Sequence, residues 1–116
     1  MQLYIINATP QRYDVSDDEN ARRHAGYATN VSDVLSRWGI DGFTIQEVQG
    51  YWQGKPERSY IITVALDKQI PVDTGEGSLN SDTIIKAVAG ELRDMYNQDA
   101  VMVTYPDSSV KFIERP

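Results

Sequence analysis

One short segment concentrates side chains that could do chemistry. Residues 49–60 contain three aromatic rings, a carboxylate and a guanidinium, contributed by Tyr51, Trp52, Tyr60, Glu57 and Arg58. Aromatic faces attract cations, and a nearby carboxylate neutralises them. The segment therefore predicts a pocket for a sulfonium, ammonium or adenine-bearing ligand. In the alternative interpretation, Tyr51 and Trp52 only pack across strands against Tyr60, and the two charged side chains are solvated at a turn.

Other candidate residues have a structural interpretation beside the chemical one. His24 is the only imidazole, and its place on the apolar stripe of a predicted helix favours a packed residue over a catalyst. Tyr105 ends a predicted strand next to Pro106, where its phenol could reach a pocket rim. Gln98-Asp99 precedes that strand, and a turn with local hydrogen bonds is the simpler interpretation.

Several reaction classes are excluded by motifs that the sequence lacks. It contains neither a GxGxxG nor a GxxxxGK[ST] phosphate loop, and no GxSxG elbow. There is no cysteine, which excludes disulfides, thiolate metal sites and a cysteine nucleophile. With a single histidine as well, we expect no built-in metal centre and no cofactor.

The net charge and the hydropathy of the chain limit its possible partners and its cellular location. The formal charge is −6, from 17 acidic and 11 basic residues, so a nucleic acid backbone would be repelled. The N-terminus has no basic region before its short apolar run, and no stretch approaches the ~20 apolar residues of a membrane span. We expect a cytoplasmic protein with no membrane partner. The length of 116 residues predicts a single domain over residues 1–116.

The positions of apolar, capping and turn residues predict the elements that carry the candidate site. A strand at 1–8 precedes one helix that begins at a Ser16 cap and ends at Gly39. The apolar stripe of that helix is His24, Tyr27, Ala28, Val31, Val34, Leu35 and Trp38. The remaining predicted elements are strands at 43–52 and 59–66 joined by a turn at 53–58, a polar connector at 67–80, a helix capped by Ser81-Asp82, and strands at 100–105 and 110–113.

The order β-α-β-β-α-β plus a terminal strand is the split βαβ pattern of an α+β, ferredoxin-like sandwich. Such a sheet covers one face with helices and leaves the other to solvent or a partner. Since the strands are rich in Val, Ile and aromatic residues, we expect the second face to be partly apolar and buried by self-association. A trimer is the favoured form.

The run from Val31 to Tyr105 resembles a known family, the phage-encoded enzymes that degrade S-adenosylmethionine (SAM). These enzymes were first called hydrolases and are now regarded as lyases. The matching features are Val31 with Leu35, Gly42, Gly50-Tyr51-Trp52, Glu57-Arg58-Ser59, the apolar strand 60–66, and Gln98-Asp99-Ala100-Val101-Met102-Val103-Thr104-Tyr105.

The resemblance implies a PII-like homotrimer with active sites between subunits. It also implies a reaction in which the carboxylate of SAM attacks its own γ-carbon, releasing methylthioadenosine and homoserine lactone. Such a reaction needs no histidine, cysteine or metal, because nucleophile and leaving group both belong to the ligand. It would deplete the methyl donor that host restriction and modification systems use.

The residues carried over from the family differ in their roles. The resemblance implies that Glu57 is essential and orients the ligand or balances its charge. Tyr51, Trp52, Arg58, Ser59 and Tyr105 would form pocket walls or donate hydrogen bonds. The family often has Tyr after Gly-x, where this chain has Trp52.

Two other functions stay open at this stage. The chain could be a PII-like trimeric sensor that binds an adenosyl or nucleotide ligand without turnover, although the connection that should carry its large loop is short here. It could also be a structural or host-interaction phage protein, which would bind no adenosyl ligand.

Overall fold

The computed structural model describes residues 1–67, 69–71 and 78–116. The secondary structure elements, in chain order, are β1 (Gln2–Ala8), α1 (Asp17–Ala25), α2 (Tyr27–Arg37), β2 (Phe43–Trp52), β3 (Lys55–Leu66), β4 (Gln69–Pro71), β5 (Ser78–Asn80), α3 (Ser81–Met95), β6 (Ala100–Thr104) and β7 (Val110–Glu114).

Five strands form one antiparallel sheet in the order β2-β3-β1-β6-β7. The chain crosses from β1 to β2 through α1 and α2, and from β3 to β6 through α3, so each helical connection passes over one intervening strand. This is the split βαβ arrangement, with β7 added at one edge. The predicted α+β fold class and the extra C-terminal strand are therefore confirmed.

Alternation along the strands separates the two faces of the sheet. Tyr4 and Ile6 of β1, together with Ile62 and Val64 of β3, are completely buried in the core. Their neighbours Leu3, Ile5, Ile61 and Thr63 point to the opposite side, which we call the open face. The helices cover only the first face, through Val31, Val34 and Leu35 of α2 and Ile84, Ile85, Val88 and Leu92 of α3.

The prediction of one helix between Ser16 and Gly39 is wrong, because Gly26 separates α1 from α2. Gly26 has φ −101° and ψ 2°, outside the helical range. Its amide donates a hydrogen bond to the His24 carbonyl at the end of α1. Both predicted ends are correct in kind. Ser16 caps α1, and Gly39, at φ +77°, follows the α2 cap in a Schellman motif. On the predicted stripe, Ala28 is exposed.

The cap of α3 is Asn80, one residue before the predicted Ser81. The Asn80 side chain accepts a hydrogen bond of 2.8 Å from the Asp82 amide. Ser81 is buried instead, and its hydroxyl lies 2.6 Å from the Tyr4 hydroxyl. The first turn of α3 is thereby tied to β1.

The hairpin turn is shorter than predicted, and this changes the position of the charged residues. Only Gln53 and Gly54 form the turn, with φ 52° and 77°, the two positive values of a type I′ hairpin. Glu57 and Arg58 are therefore not turn residues, as the sequence suggested, but lie in β3 opposite Gly50 and Gln49.

The predicted connector 67–80 contains two short paired strands, β4 and β5. Residues 68 and 72–77 of that prediction lie outside the described residues.

Candidate functional site

The register of the hairpin assigns the candidate residues to different faces. Val48 pairs with Ser59, Gly50 with Glu57, and Trp52 with Lys55, and these pairs belong to the open face. Arg58 pairs with Gln49, and Tyr51 with Pro56, on the helix side. Glu57 and Arg58 are adjacent in the sequence but therefore lie on opposite faces of the sheet.

A cavity of about 640 Å³ opens at the end of the sheet where β1 ends and β3 begins. Four of the predicted site residues line it: Tyr51, Trp52, Glu57 and Ser59. The other walls come from the loop after β1, the segment 97–102 and Phe112 of β7. This volume is in the range of small-molecule sites.

Two hydrogen bonds orient the Glu57 carboxylate, and a glycine lies opposite it on the neighbouring strand. The Tyr13 hydroxyl donates to Glu57 Oε2 at 2.8 Å, and the Ser59 hydroxyl donates to Oε1 at 3.4 Å. Opposite Glu57 lies Gly50, where an added Cβ would come within 2.9 Å of Ser59 Oγ. The carboxylate thus has two hydrogen-bond partners, and the absence of a Cβ at position 50 leaves room for one of them, Ser59.

Tyr13 donates this hydrogen bond throughout the physiological pH range. Partial burial, reinforced by the hydrogen bond to Glu57, raises the pKa of Tyr13 to about 12. The phenol is consequently protonated at neutral pH. The Lys55 ammonium lies 5.8 Å from the centre of the Tyr13 ring.

The loop that carries Tyr13 is fastened to α1. The buried Asn20 side chain accepts from the Arg12 amide at 2.9 Å and donates to the Arg12 carbonyl at 2.7 Å. The Arg23 guanidinium donates to the Pro10 carbonyl, and the Gln98 side chain donates to the Gln11 carbonyl at 3.0 Å. One wall of the cavity is thereby fixed on two sides.

The positive charge of Arg12, in the loop after β1, is neutralised by a carboxylate of the same loop. Arg12 forms a two-pronged ion pair with Asp14, with nitrogen–oxygen distances of 2.7 and 2.5 Å. The pair lowers the pKa of the Asp14 carboxyl. Arg12 also donates to the Asn97 carbonyl at 2.8 Å, which links this loop to the start of the opposite wall.

Two predicted site residues do not reach the cavity. The Arg58 guanidinium forms an exposed ion pair of 2.8 Å with Glu47 on the helix side of the hairpin. Tyr105 is buried at the opposite end of the sheet, where its ring lies edge-on to Tyr4 with 5.8 Å between centroids.

His24 is packed, in agreement with the structural interpretation of its position. Its Nε2 lies 2.6 Å from Gln11 Oε1, an acceptor, which favours the neutral tautomer with its proton on Nε2. Its Nδ1 lies 3.2 Å from the Tyr60 hydroxyl. Burial, with a smaller contribution from the positive charge of Arg58, lowers the pKa of His24.

Sequence reasoning missed the loop after β1 as part of the site. Tyr13 was one tyrosine among seven, and nothing in its local sequence distinguishes it. The topology could have indicated this loop, because in a split βαβ sheet the end of β1, the start of β3 and the start of β6 lie at the same end of the sheet. The predicted strand order could therefore have directed attention to residues 9–14.

Within the described residues, no three or more histidine, aspartate and glutamate side chains approach closely enough to hold a metal ion. None of the described helices has the length and apolar character needed to cross a membrane.

Comparison with known proteins relates the chain to others through structure. No protein-family model and no curated protein matches the sequence. Two similar solved structures are a phage SAM lyase in the apo state and one in complex with S-methyl-5′-thioadenosine, with TM-scores of 0.57 and 0.56. They are 20% and 19% identical, and each match covers 97% of this chain and 88% of the lyase.

The chain has the fold of these phage SAM lyases. The resemblance noted in the sequence is thus confirmed at the level of fold. A nitrogen-regulatory PII-like protein from Thiomonas intermedia K12, bound to ADP, AMP and bicarbonate, is 12% identical with a TM-score of 0.48.

Proposed function

We propose that this chain is a lyase that cleaves S-adenosylmethionine to methylthioadenosine and homoserine lactone. The observation that carries the proposal is a cavity, on a fold shared with phage SAM lyases, that is lined by Glu57, which carries a carboxylate, and by the aromatic residue Trp52. Carboxylates and aromatic faces are the groups that bind a sulfonium or ammonium ion.

The proposed reaction is a displacement within the substrate. One carboxylate oxygen of SAM forms a bond to Cγ, the Cγ–S bond breaks, and its electron pair neutralises the sulfonium sulfur. No proton is transferred, so the protein only has to fold the substrate into the attacking conformation and keep water from Cγ.

Charge development during this step favours one role for Glu57. The sulfonium loses its charge in the transition state, so a carboxylate held against sulfur would stabilise the substrate more than the transition state. The α-ammonium keeps its charge throughout. We therefore assign Glu57 to the ammonium, where it orients the amino acid part of SAM at no cost to the barrier.

The remaining candidates act as walls and donors in this proposal. Trp52 would pack against the adenosyl or sulfonium part, and Ser59 supports Glu57 through its hydroxyl. Tyr51 borders the cavity, but its hydroxyl accepts a hydrogen bond from Gln49 on the helix side of the hairpin. Arg58 and Tyr105 have no part in the proposed site of one copy, because Arg58 is paired with Glu47 and Tyr105 is packed on Tyr4.

We further propose a homotrimer with sites between subunits. The open face carries exposed apolar residues at Leu3, Val110 and Phe112, and the cavity opens on the same face. A neighbouring copy covering this face would enclose the cavity and exclude water. In a phage-infected cell, such an enzyme would act in the cytoplasm and deplete the methyl donor of host restriction and modification systems.

The test is turnover of SAM by the purified protein and by a Glu57→Gln variant, which keeps the size of the side chain and removes its charge. We expect methylthioadenosine and homoserine lactone from the wild type, and at least about a hundredfold less from the variant. The matched control is Glu47→Gln, the other carboxylate of the hairpin, which faces the helix side and should retain turnover.

Isotopic water separates the lyase from a hydrolase. In H₂¹⁸O, intramolecular attack gives a lactone without ¹⁸O, whereas attack of water on Cγ gives homoserine with ¹⁸O in its hydroxyl group. Binding of SAM without any product would instead favour a sensor, and absence of binding would refute both functions.

A further inference from the structure

We propose that Tyr13 is a positioning residue that fixes the carboxylate of Glu57 for the ligand's ammonium group. This inference rests on the proposed function of Glu57. Tyr13 lies outside the part of the chain that resembles the SAM-degrading enzymes, and it meets Glu57 only through the fold, since 44 residues separate them in sequence.

The contact geometry leaves part of the carboxylate available. The Tyr13 hydroxyl occupies one acceptor position of Oε2 at 2.8 Å, and the Ser59 hydroxyl approaches Oε1 at 3.4 Å. A carboxylate has about four acceptor positions, so roughly two remain for a ligand. A charged acceptor makes the stronger kind of hydrogen bond, which restricts the rotamers of an otherwise flexible glutamate.

The neighbours of Tyr13 on both sides make hydrogen bonds within the protein. Arg12 is held through its amide and its carbonyl by the buried Asn20. Asp14 is held by its two-pronged pair with the Arg12 guanidinium. Tyr13 therefore extends from a loop that is anchored to α1 through the Arg12 backbone, which limits the positions that its hydroxyl can take beside Glu57.

The Tyr13 side chain contacts both Glu57 and the lysine that could compete for it. Lys55 and Glu57 are two residues apart on β3, so their side chains leave the same face of the strand. The Lys55 ammonium lies over the Tyr13 ring, 5.8 Å from its centre, rather than on Glu57. Without the hydroxyl, Glu57 would be free to change rotamer and could turn towards Lys55 and away from the ligand.

The first test is Tyr13→Phe, which keeps the ring and removes only the donor. We expect kcat/KM for SAM to fall about tenfold, mainly through a higher KM. The same substitution in a Glu57→Gln background should add less than about twofold, because Tyr13 acts through Glu57. A tenfold loss in both backgrounds would overturn the proposal, as would a Tyr13→Phe enzyme with unchanged kinetics.

A second measurement does not depend on turnover. The Tyr13 phenol can be titrated by NMR in protein with ring-labelled tyrosine, in the wild type and in Glu57→Gln. A lower Tyr13 pKa in the variant would support the contact even if SAM proved not to be the substrate. An unchanged Tyr13 pKa would overturn the proposal whatever the enzyme assays showed.

Discussion

At position 50 the lack of a side chain determines where the neighbouring groups can lie. Gly50 is directly opposite Glu57 on the open face, and the space that its Cβ would occupy is next to the Ser59 hydroxyl. Gly50 is not one of the glycines with positive φ in this chain. Glycine is therefore needed here because it leaves room for the Ser59 side chain, and not because of its backbone conformation.

We predict that Gly50→Ala impairs the site without unfolding the protein. The new Cβ would lie 2.9 Å from Ser59 Oγ, so the serine must rotate away from Glu57. Because only the end of a small side chain has to move, the free energy of unfolding should change by less than about 1 kcal/mol. SAM turnover should fall several-fold.

Two further variants control this experiment. Gly42→Ala adds a Cβ that meets nothing within 4 Å and should change neither stability nor turnover. In a Ser59→Ala background the nearest side-chain contact of the new Cβ relaxes to 3.5 Å, so Gly50→Ala should cost nothing more there. A large loss of stability in the single variant would contradict this account.

Among the elements, α1, β3 and the loop after β1 meet at His24. The imidazole belongs to α1, its Nδ1 contacts Tyr60 of β3, and its Nε2 contacts Gln11 of the loop. Neutral histidine satisfies both contacts, as donor at Nε2 and acceptor at Nδ1. Protonation would place a second donor and a charge in this buried position.

We predict that this junction weakens in mild acid. Because the folded-state pKa of His24 lies below its ordinary value of 6.5, the unfolded chain binds the proton more readily. The contribution of His24 to stability is nearly constant above about pH 7.5 and falls as the pH drops through 6.5, by at most about 1.4 kcal/mol at about pH 5.5. Urea denaturation at about pH 7.5 and about pH 5.5 measures this loss.

His24→Gln is the matching variant for that measurement. The chain has a single histidine, so the variant removes its only imidazole. Its stability should be nearly the same at the two pH values. An equal loss in wild type and variant would assign the acid sensitivity to other groups.

Over the whole molecule, the two faces of the sheet are covered unequally. Helices bury one face, while Leu3, Val110 and Phe112 on the other are each more than half exposed. Exposed apolar side chains that cluster on one face are typical of a protein interface. This surface also borders the cavity through Phe112.

We predict that the open face mediates self-association. Leu3→Glu introduces a charge that would have to be buried, so analytical ultracentrifugation should show a smaller species than the wild type. Met95→Glu is the control, because Met95 is an exposed apolar residue of α3 on the helix side and its replacement should not change the mass. A monomeric wild type would refute the predicted trimer.

Much of the fold follows from local patterns. The hydrophobic periodicity predicts the strands of the main sheet, and Ser16 and Gly39 mark the two ends of the first helical connection, because capping and amphipathicity act over a few residues. The break at Gly26 was missed because it depends on the backbone conformation of a single residue. The cap at Asn80 was missed because it lies only one residue before the predicted cap.

The sequence by itself determined the order of the five strands of the main sheet, the fold class and the hairpin that carries Glu57, Trp52 and Ser59, because these depend on periodicity and on short motifs. Only the tertiary structure decided which side chains meet. Strand register separates Arg58 from Glu57 although they are adjacent, and chain topology brings Tyr13 to Glu57 across 44 residues. Such contacts depend on pairing and on connections between distant segments, and no local pattern specifies them.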